Sequence, residues 1–282
     1  MKKFVCLILS MLVLTGCTSK SVYKNEITSE EDIKGNFQAV FNSSDTGGVS
    51  NKKYGWGLKK NKNAPPEIPS EIIEILSRYG GIYKDSEPHS LYLTFDEGYE
   101  NGYTSTILDV LKENDVKAAF FVTGPYIKKE KELIKRMVDE GHIVGNHTVN
   151  HPSMPEVSDE KLKKEIEELS ESFKKLTGKE MKFFRPPMGE YSERTLKLTQ
   201  ELGYTSVFWS SAYKDWEVKN QKGTDYAYTQ ITDGVHDGAI LLLHAVSKDN
   251  ADILDKVIKD LKSQGYRFKS LEDFGKNVND NR

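Results

Sequence analysis

From Ser90 onward the chain alternates short apolar runs with longer amphipathic segments. That pattern restricts it to folds in which a parallel sheet is covered by helices and joined by right-handed crossovers. The apolar runs are residues 91–95, 118–122, 142–145, 182–184, 205–209, 239–243 and 267–268, which makes seven strands. Helical patterns occupy 104–113, 130–140, 159–176, 193–202, 226–235 and 253–264, several closed by a glycine such as Gly141, Gly178, Gly203 or Gly265. Residues 240–243 are apolar at every position rather than alternately, as expected of a strand buried on both faces. A closed barrel and a doubly wound open sheet both satisfy this pattern. Ahead of it, Ser70 has the character of an N-cap for a lead-in helix over 71–79, ended by Gly80 and Gly81.

The first residues follow different physics. Lys2 and Lys3 precede an apolar stretch over 4–14 that is too short to span a bilayer permanently and has the form of an export signal. Leu14-Thr15-Gly16-Cys17 follows directly and resembles a bacterial lipobox, so residues 1–16 are expected to be removed and Cys17 lipidated. A plain secretory cut near Gly16 is the alternative. Residues 17–52 are rich in Ser, Asn and Gly and read as a flexible tether, which leaves 53–282 as the folded domain with a core over about 90–270. The only other cysteine, Cys6, lies in the signal, so no disulfide framework exists and the core must hold by packing. The expected location is the outer face of the plasma membrane, with lipid as the only membrane contact. Formal charge is -3, and no basic cluster stands out, which excludes nucleic acid as a natural partner. A monomer is expected.

In parallel α/β folds the functional groups gather past the carboxyl ends of the strands. There the chain places Asp96 and Glu97, then His147 and His151, Arg185, Asp215 and His244, so five strand ends point to one rim. His147 and His151 have the spacing of one helical turn, which lets two imidazoles grip a single ion. Two His and one carboxylate leave coordination positions open, as a catalytic site requires. This donor set suits Zn, Co, Mn or Ni.

Thr94-Phe95-Asp96-Glu97-Gly98-Tyr99, His147-Thr148-Val149-Asn150-His151-Pro152, Arg185-Pro186-Pro187-Met188-Gly189, Asp215-Trp216 and Leu241-Leu242-Leu243-His244 resemble the five ordered motifs of the polysaccharide deacetylase (NodB-homology) family. The resemblance runs from Trp56 to about Phe274. Residues 99–104, 220–223 and 244–250, with Trp56-Gly57, are similar to the muramic delta-lactam deacetylases of spore-forming bacteria. The resemblance implies a distorted (β/α)7 barrel and one divalent metal, most simply Zn, bound by Glu97, His147 and His151. It implies Asp96 as the general base, His244 as the acid, Asp215 as the partner of His244, and Arg185 as the residue orienting Asp96. Tyr191, Trp209, Trp216, Pro187 and Gly189 are the expected substrate contacts. One position departs from the pattern: where most members carry Asp, and the spore-type relatives Asn, this chain has Glu97, whose extra methylene moves the carboxylate by about 1.5 Å.

The implied activity is de-N-acetylation of N-acetylmuramic acid in peptidoglycan glycan strands, leading to muramic delta-lactam in spore cortex. N-acetylglucosamine in peptidoglycan or chitin-like oligomers is the alternative sugar. Other readings are an ester hydrolase acting on acetylated xylan and a non-catalytic wall-binding lipoprotein.

Overall fold

A computed structural model describes residues 48–276. The expected signal, Cys17 and the tether up to residue 47 lie outside the described residues. The strands are β1 (Tyr54–Gly55), β2 (Ser90–Glu97), β3 (Ala119–Val122), β4 (Ile143–Asn146), β5 (Phe183–Phe184), β6 (Glu190–Tyr191), β7 (Thr205–Ser206), β8 (Ser211–Ala212), β9 (Ala239–His244) and β10 (Arg267–Phe268). The main sheet has the order β7-β5-β4-β3-β2-β9-β8, with β10 joining the start of β2, and every pairing in it is parallel.

The expected strand over 205–209 is only β7 at its start, and a second strand, β8, follows just past its end; this arrangement curls the sheet. β7 and β8 stand at opposite ends of the sheet order, yet only residues 207–210 separate them. An extended chain spans at most about 18 Å over that distance, so the two edges must come together. Val207 N donates to Phe184 O at one edge (2.7 Å) and Ser210 N to Ile240 O at the other (3.0 Å). The result is the distorted barrel that the family resemblance implies.

Side-chain alternation along β2 sorts its residues between two cores. Leu91, Leu93 and Phe95 point outward into the layer shared with the helices, whereas Tyr92 points inward among Phe121, Val207 and Ile240. Each fully buried large apolar side chain contributes about 1.5–3 kcal/mol. The same parity that sends Tyr92 inward sends Thr94 and Asp96 inward, and Glu97 outward.

The helices are α1 (Ser70–Arg78), α2 (Thr104–Glu113), α3 (Gly124–Lys129), α4 (Lys131–Asp139), α5 (Asp159–Thr177), α6 (Glu193–Glu201), α7 (Thr224–Thr232) and α8 (Lys248–Ser263). Three differ from expectation. Ser70 lies inside α1, with Pro69 at the cap position and no side-chain cap bond. The short α3, with Pro125 in its first turn, has too few residues to show a period. α8 starts five residues before 253 because the Ser247 hydroxyl caps it, accepting from Asn250 N.

The folded body also begins before residue 53. Arg194 N donates to Ser50 O (3.0 Å), while Asn51 Oδ1 accepts from Ser192 Oγ (2.8 Å) and Arg194 Nε (2.9 Å). β1 then pairs antiparallel with β6, and the Trp56 indole donates to Trp209 O (2.8 Å). This N-terminal strap closes one side of the barrel near the catalytic rim.

Candidate active site

Asp96 at the end of β2 pairs with His244 of β9 in register, which sets a carboxylate and an imidazole side by side on the rim. Arg185, fully buried, donates from Nη1 to Asp96 Oδ1 (2.7 Å), from Nη2 to Thr94 Oγ1 (2.9 Å) and from Nε to Val207 O (3.1 Å). Its guanidinium also lies 4.1 Å from the Phe121 ring centroid. Burial alone would raise the Asp96 pKa, but Arg185, His147 and His244 outweigh it and hold Asp96 below the usual carboxylate range. Asp96 is therefore an ionised base at neutral pH.

His244 faces the opposite demand. Its Nδ1 lies 2.6 Å from Asp215 Oδ1 and its backbone N 2.8 Å from Asp215 Oδ2. Burial opposes the imidazolium, yet Asp215 and then Asp96 overcome it and raise the His244 pKa above the ordinary histidine value. With Nδ1–H committed to Asp215, Nε2 is the nitrogen free to donate in the pocket.

The two remaining histidines come together by a loop rather than a helix. Residues 147–151 are irregular, with Thr148 at φ 66° and His151 at φ 56°, costly for side chains with a Cβ. Thr148 N donates to Asn146 Oδ1 (2.9 Å), His151 N donates to Thr148 Oγ1 (2.9 Å), and the Glu165 carboxylate of α5 accepts from Asn150 N (2.7 Å) and Nδ2 (2.8 Å). That scaffold brings His147 Nε2 to 3.1 Å from His151 Nε2, with Asp96 Oδ2 at 3.5 Å from His147 Nε2. His147 Nδ1 is 2.8 Å from Arg185 O and donates to it, which leaves Nε2 with its lone pair. Burial lowers the His147 pKa to about 4 and lowers that of His151 as well, so both rings are neutral at physiological pH.

These groups open into a cavity of about 510 Å³ lined by Asp96, His147, His151 and His244 and walled by Tyr99, Met188, Trp209 and Trp216. Five large apolar side chains are exposed among the described residues, and three of them, Tyr99, Met188 and Trp216, stand at this one mouth. A wall of that kind suits the apolar face of a sugar ring.

A family model for polysaccharide deacetylases matches residues 83–207. The chain is 46% identical over 228 residues to the peptidoglycan-N-acetylmuramic acid deacetylase PdaA of Bacillus subtilis, covering 80% of this chain and 87% of that protein. The chain belongs to the polysaccharide deacetylase family. The crystal structure of Bacillus subtilis PdaA, a family 4 carbohydrate esterase, superposes with a TM-score of 0.78 over 80% of this chain and 98% of that one. A family 4 carbohydrate esterase from Bacillus anthracis gives 0.69 at 48% identity, with 80% and 97% covered. A peptidoglycan-N-acetylglucosamine deacetylase of Bacillus cereus is 34% identical, over 68% of this chain and 70% of that protein. Membership makes the chain a hydrolase that acts on carbohydrate amide bonds.

Within this deacetylase the structure assembles Asp96, His147, His151, Arg185, Asp215 and His244 as expected, and Trp209, Trp216 and Gly189 line the cavity. Three expected residues stand elsewhere. Tyr191 is fully buried against Tyr54, Trp56 and Phe208 in the strap, because β6 parity turns it from the rim. Pro187 is buried and shapes the turn that presents Met188, a non-glycine residue at φ 57°. Glu97 points away from the histidine pair: its Oε1 is 3.5 Å from Thr104 Oγ1 of α2, and its Oε2 is buried with no partner. Met188, Tyr99, Asn146 and Glu165 were not foreseen. The positive φ values that signal Met188 and the 147–151 loop have no sequence signature outside glycine.

The two Nε2 atoms fit a shared ion, since ligands at about 2.0–2.1 Å with angles of about 90–109° stand about 2.9–3.4 Å apart. Among the described residues, no group of three or more His, Cys, Asp or Glu side chains is arranged to hold a metal. The structure thus offers two facing imidazoles as donors, with the Glu97 side chain turned away from them. Zinc content of a Glu97→Ala protein is expected to equal that of the wild type by atomic absorption; a clear loss would return Glu97 to the site. Burial first, then Glu100 and Asp96, raise the Glu97 pKa well above the carboxylate range. A carboxylate with a raised folded-state pKa destabilises the fold progressively as pH rises from the unfolded value, about 4.3, toward the folded one. Glu97→Gln is therefore expected to gain about 1–3 kcal/mol at neutral pH and nothing near pH 4, read by urea unfolding.

Proposed function

We propose that this chain removes the acetyl group from N-acetylmuramic acid residues of peptidoglycan whose stem peptides are absent, as a step toward muramic delta-lactam. The observation that carries the chemistry is the facing pair Asp96 and His244, an ionised base and a protonated acid at one cavity wall. The 46% identity to the N-acetylmuramic acid deacetylase of Bacillus subtilis supports the sugar. Zinc is the favoured cofactor, held by His147 and His151. A divalent cation there would supply Lewis-acid polarisation of the acetamide carbonyl. The lipobox at Cys17 supports export and tethering at the outer face of the plasma membrane.

The protein's own groups divide the reaction between them. Asp96 takes the proton of the water that attacks the acetyl carbon, with Arg185 fixing one carboxylate oxygen so that the other faces the cavity. His244 gives its Nε2 proton to the amine nitrogen as the C–N bond breaks, and Asp215 steadies the imidazolium before that transfer. Trp209, Trp216 and Met188 wall the sugar, which limits water at the reacting atoms. The products are acetate and a free amine, positioned to close on the lactyl carboxylate.

A base that must be ionised and an acid that must be protonated give a bell-shaped pH profile. The raised His244 pKa extends activity to higher pH than an ordinary histidine would allow, and activity falls as pH passes through that pKa. Asp215→Asn removes the charge that raises it, so the alkaline limb is expected to move to lower pH, with kcat reduced by roughly 10²–10⁴. A limb that stays in place would assign the acid to another group. For the substrate, acetate release is measured on glycan strands without stem peptides, intact peptidoglycan, chitin oligomers and acetylated xylan. The proposal expects release from the first alone or fastest; release mainly from chitin oligomers or xylan would overturn the choice of sugar.

A further inference from the structure

The Asp215 carboxylate has two oxygens, and the His244 ring occupies one of them. Asp215 Oδ2 accepts from His244 N (2.8 Å) and from Asn250 Nδ2 (2.6 Å), and Asn250 is almost completely buried in the first turn of α8. The amide of Asn250 can face only one way, because the Asp215 carboxylate only accepts; its Oδ1 then accepts from the Tyr213 hydroxyl. An amide turned over would set its oxygen against a carboxylate and its NH₂ against the tyrosine. The start of α8 fixes the backbone beneath: Ser247 Oγ accepts from Asn250 N (3.2 Å) and donates to Gln221 Oε1 (2.6 Å). Gln221 Nε2 donates in turn to Asp215 O (3.0 Å). Asp215 is therefore held through its side chain by Asn250 and through its backbone by Gln221, both ordered by the same helix terminus.

We propose that Asn250 is a positioning residue for the acid: with Tyr213 as its clamp, it fixes the Asp215 carboxylate and so sets both the aim and the proton affinity of His244. The inference rests on the reading of His244 as the acid. Three donors on one carboxylate, two to Oδ2 and one to Oδ1, disperse its charge and make it a weaker base. Removing the Asn250 donor leaves a more basic Asp215 that binds the imidazolium proton more firmly, and frees the carboxylate to rotate. Both effects slow proton delivery to the leaving amine while the sugar-binding walls stay intact. The other titratable groups that act on His244 are Asp96 of β2, which also favours the imidazolium, Arg185 beyond β5, which disfavours it, and the His151 ring across the cavity; the Trp216 ring meets it edge-on at 5.2 Å. None of these touches Asn250.

The test uses Asn250→Leu, similar in volume without the donor, and Tyr213→Phe, which keeps the packing and releases only the amide's clamp. Two readouts are taken on the full-length, metal-loaded protein: steady-state acetate release, and the titration midpoint of the His244 ring by NMR, which needs no turnover. Asn250→Leu is expected to lower kcat about ten- to hundredfold with KM changed by less than about twofold, and to move the His244 midpoint to higher pH. Tyr213→Phe is expected to move both in the same direction by less. If the His244 midpoint is the same in wild type and Asn250→Leu, the proposal is overturned, whatever the substrate proves to be. A wild-type protein that turns over nothing while its midpoint still shifts in the variant would overturn the proposed substrate and leave the positioning role standing.

Discussion

Asp96→Asn protein is expected to bind glycan with a KM near that of the wild type and to release acetate about 10²–10⁴-fold more slowly. The amide keeps the shape of the carboxylate and one acceptor for Arg185 Nη1, so the cavity survives. What disappears is the only ionised oxygen that faces both His147 and the cavity. No neighbour can substitute, because Glu97 is turned into the helix layer by strand parity and Asp215 is already committed to His244 and Asn250. Steady-state kinetics on glycan strands without stem peptides provides the check. A loss smaller than about tenfold would mean that the proton of the attacking water leaves by another route.

Arg185→Met is expected to produce the largest change in stability, about 3–5 kcal/mol. The guanidinium is fully buried and bonds Asp96, Thr94 and Val207, tying β2 and β5 to the segment that closes the barrel. Without it, Asp96 is a buried carboxylate that loses its hydrogen-bonded cation and keeps only the His244 imidazolium nearby. The linkage has a definite sign. In the wild type the lowered Asp96 pKa contributes stability that is present above the unfolded carboxylate value, about 3.9, and is lost as pH falls through the folded one. In Arg185→Met the contribution reverses, so the deficit is greatest at neutral pH and shrinks toward acid. Urea unfolding across pH measures this, and the acid limb of the activity profile is expected to move to higher pH in parallel. Combining Arg185→Met with Asp96→Asn should recover part of the lost stability, since the double variant no longer buries an unpaired charge.

The parallel sheet and its rim were legible because they rest on periodicities that a linear sequence carries, whereas the choice of a barrel over an open sheet came from the family resemblance. Wholly apolar runs such as 239–243 mark strands covered on both faces, and polar residues just past them fall at the carboxyl ends by construction. Asp96, Arg185, Asp215 and His244 followed from that rule and meet as it requires. The misplacements have a common cause. Glu97 and Tyr191 were assigned to the site by their neighbourhood in sequence, whereas the two-residue period of a strand decides which of two adjacent side chains enters it. For Asp96 and Glu97 that period separates the proposed base from a buried acid whose Oε2 has no partner. The histidine spacing suggested a helical turn, but left-handed residues at Thr148 and His151 bring the rings together. Such conformations depend on a local bond to the Asn146 side chain and on the Glu165 carboxylate, brought from α5, which the spacing of the two histidines does not encode. Equally hidden was Asn250, whose role exists only because α8 begins at Lys248.

Groups from five strand ends are proposed to act on one acetamide, which mass spectrometry of defined glycan oligomers, free of stem peptides, tests after incubation with zinc-loaded protein and with a His147→Ala, His151→Ala double variant. A single acetyl mass is expected to be lost from muramic acid residues with the wild type and none with the variant. Acetyl loss that is equal in both proteins, or that falls on glucosamine residues alone, would contradict this proposal.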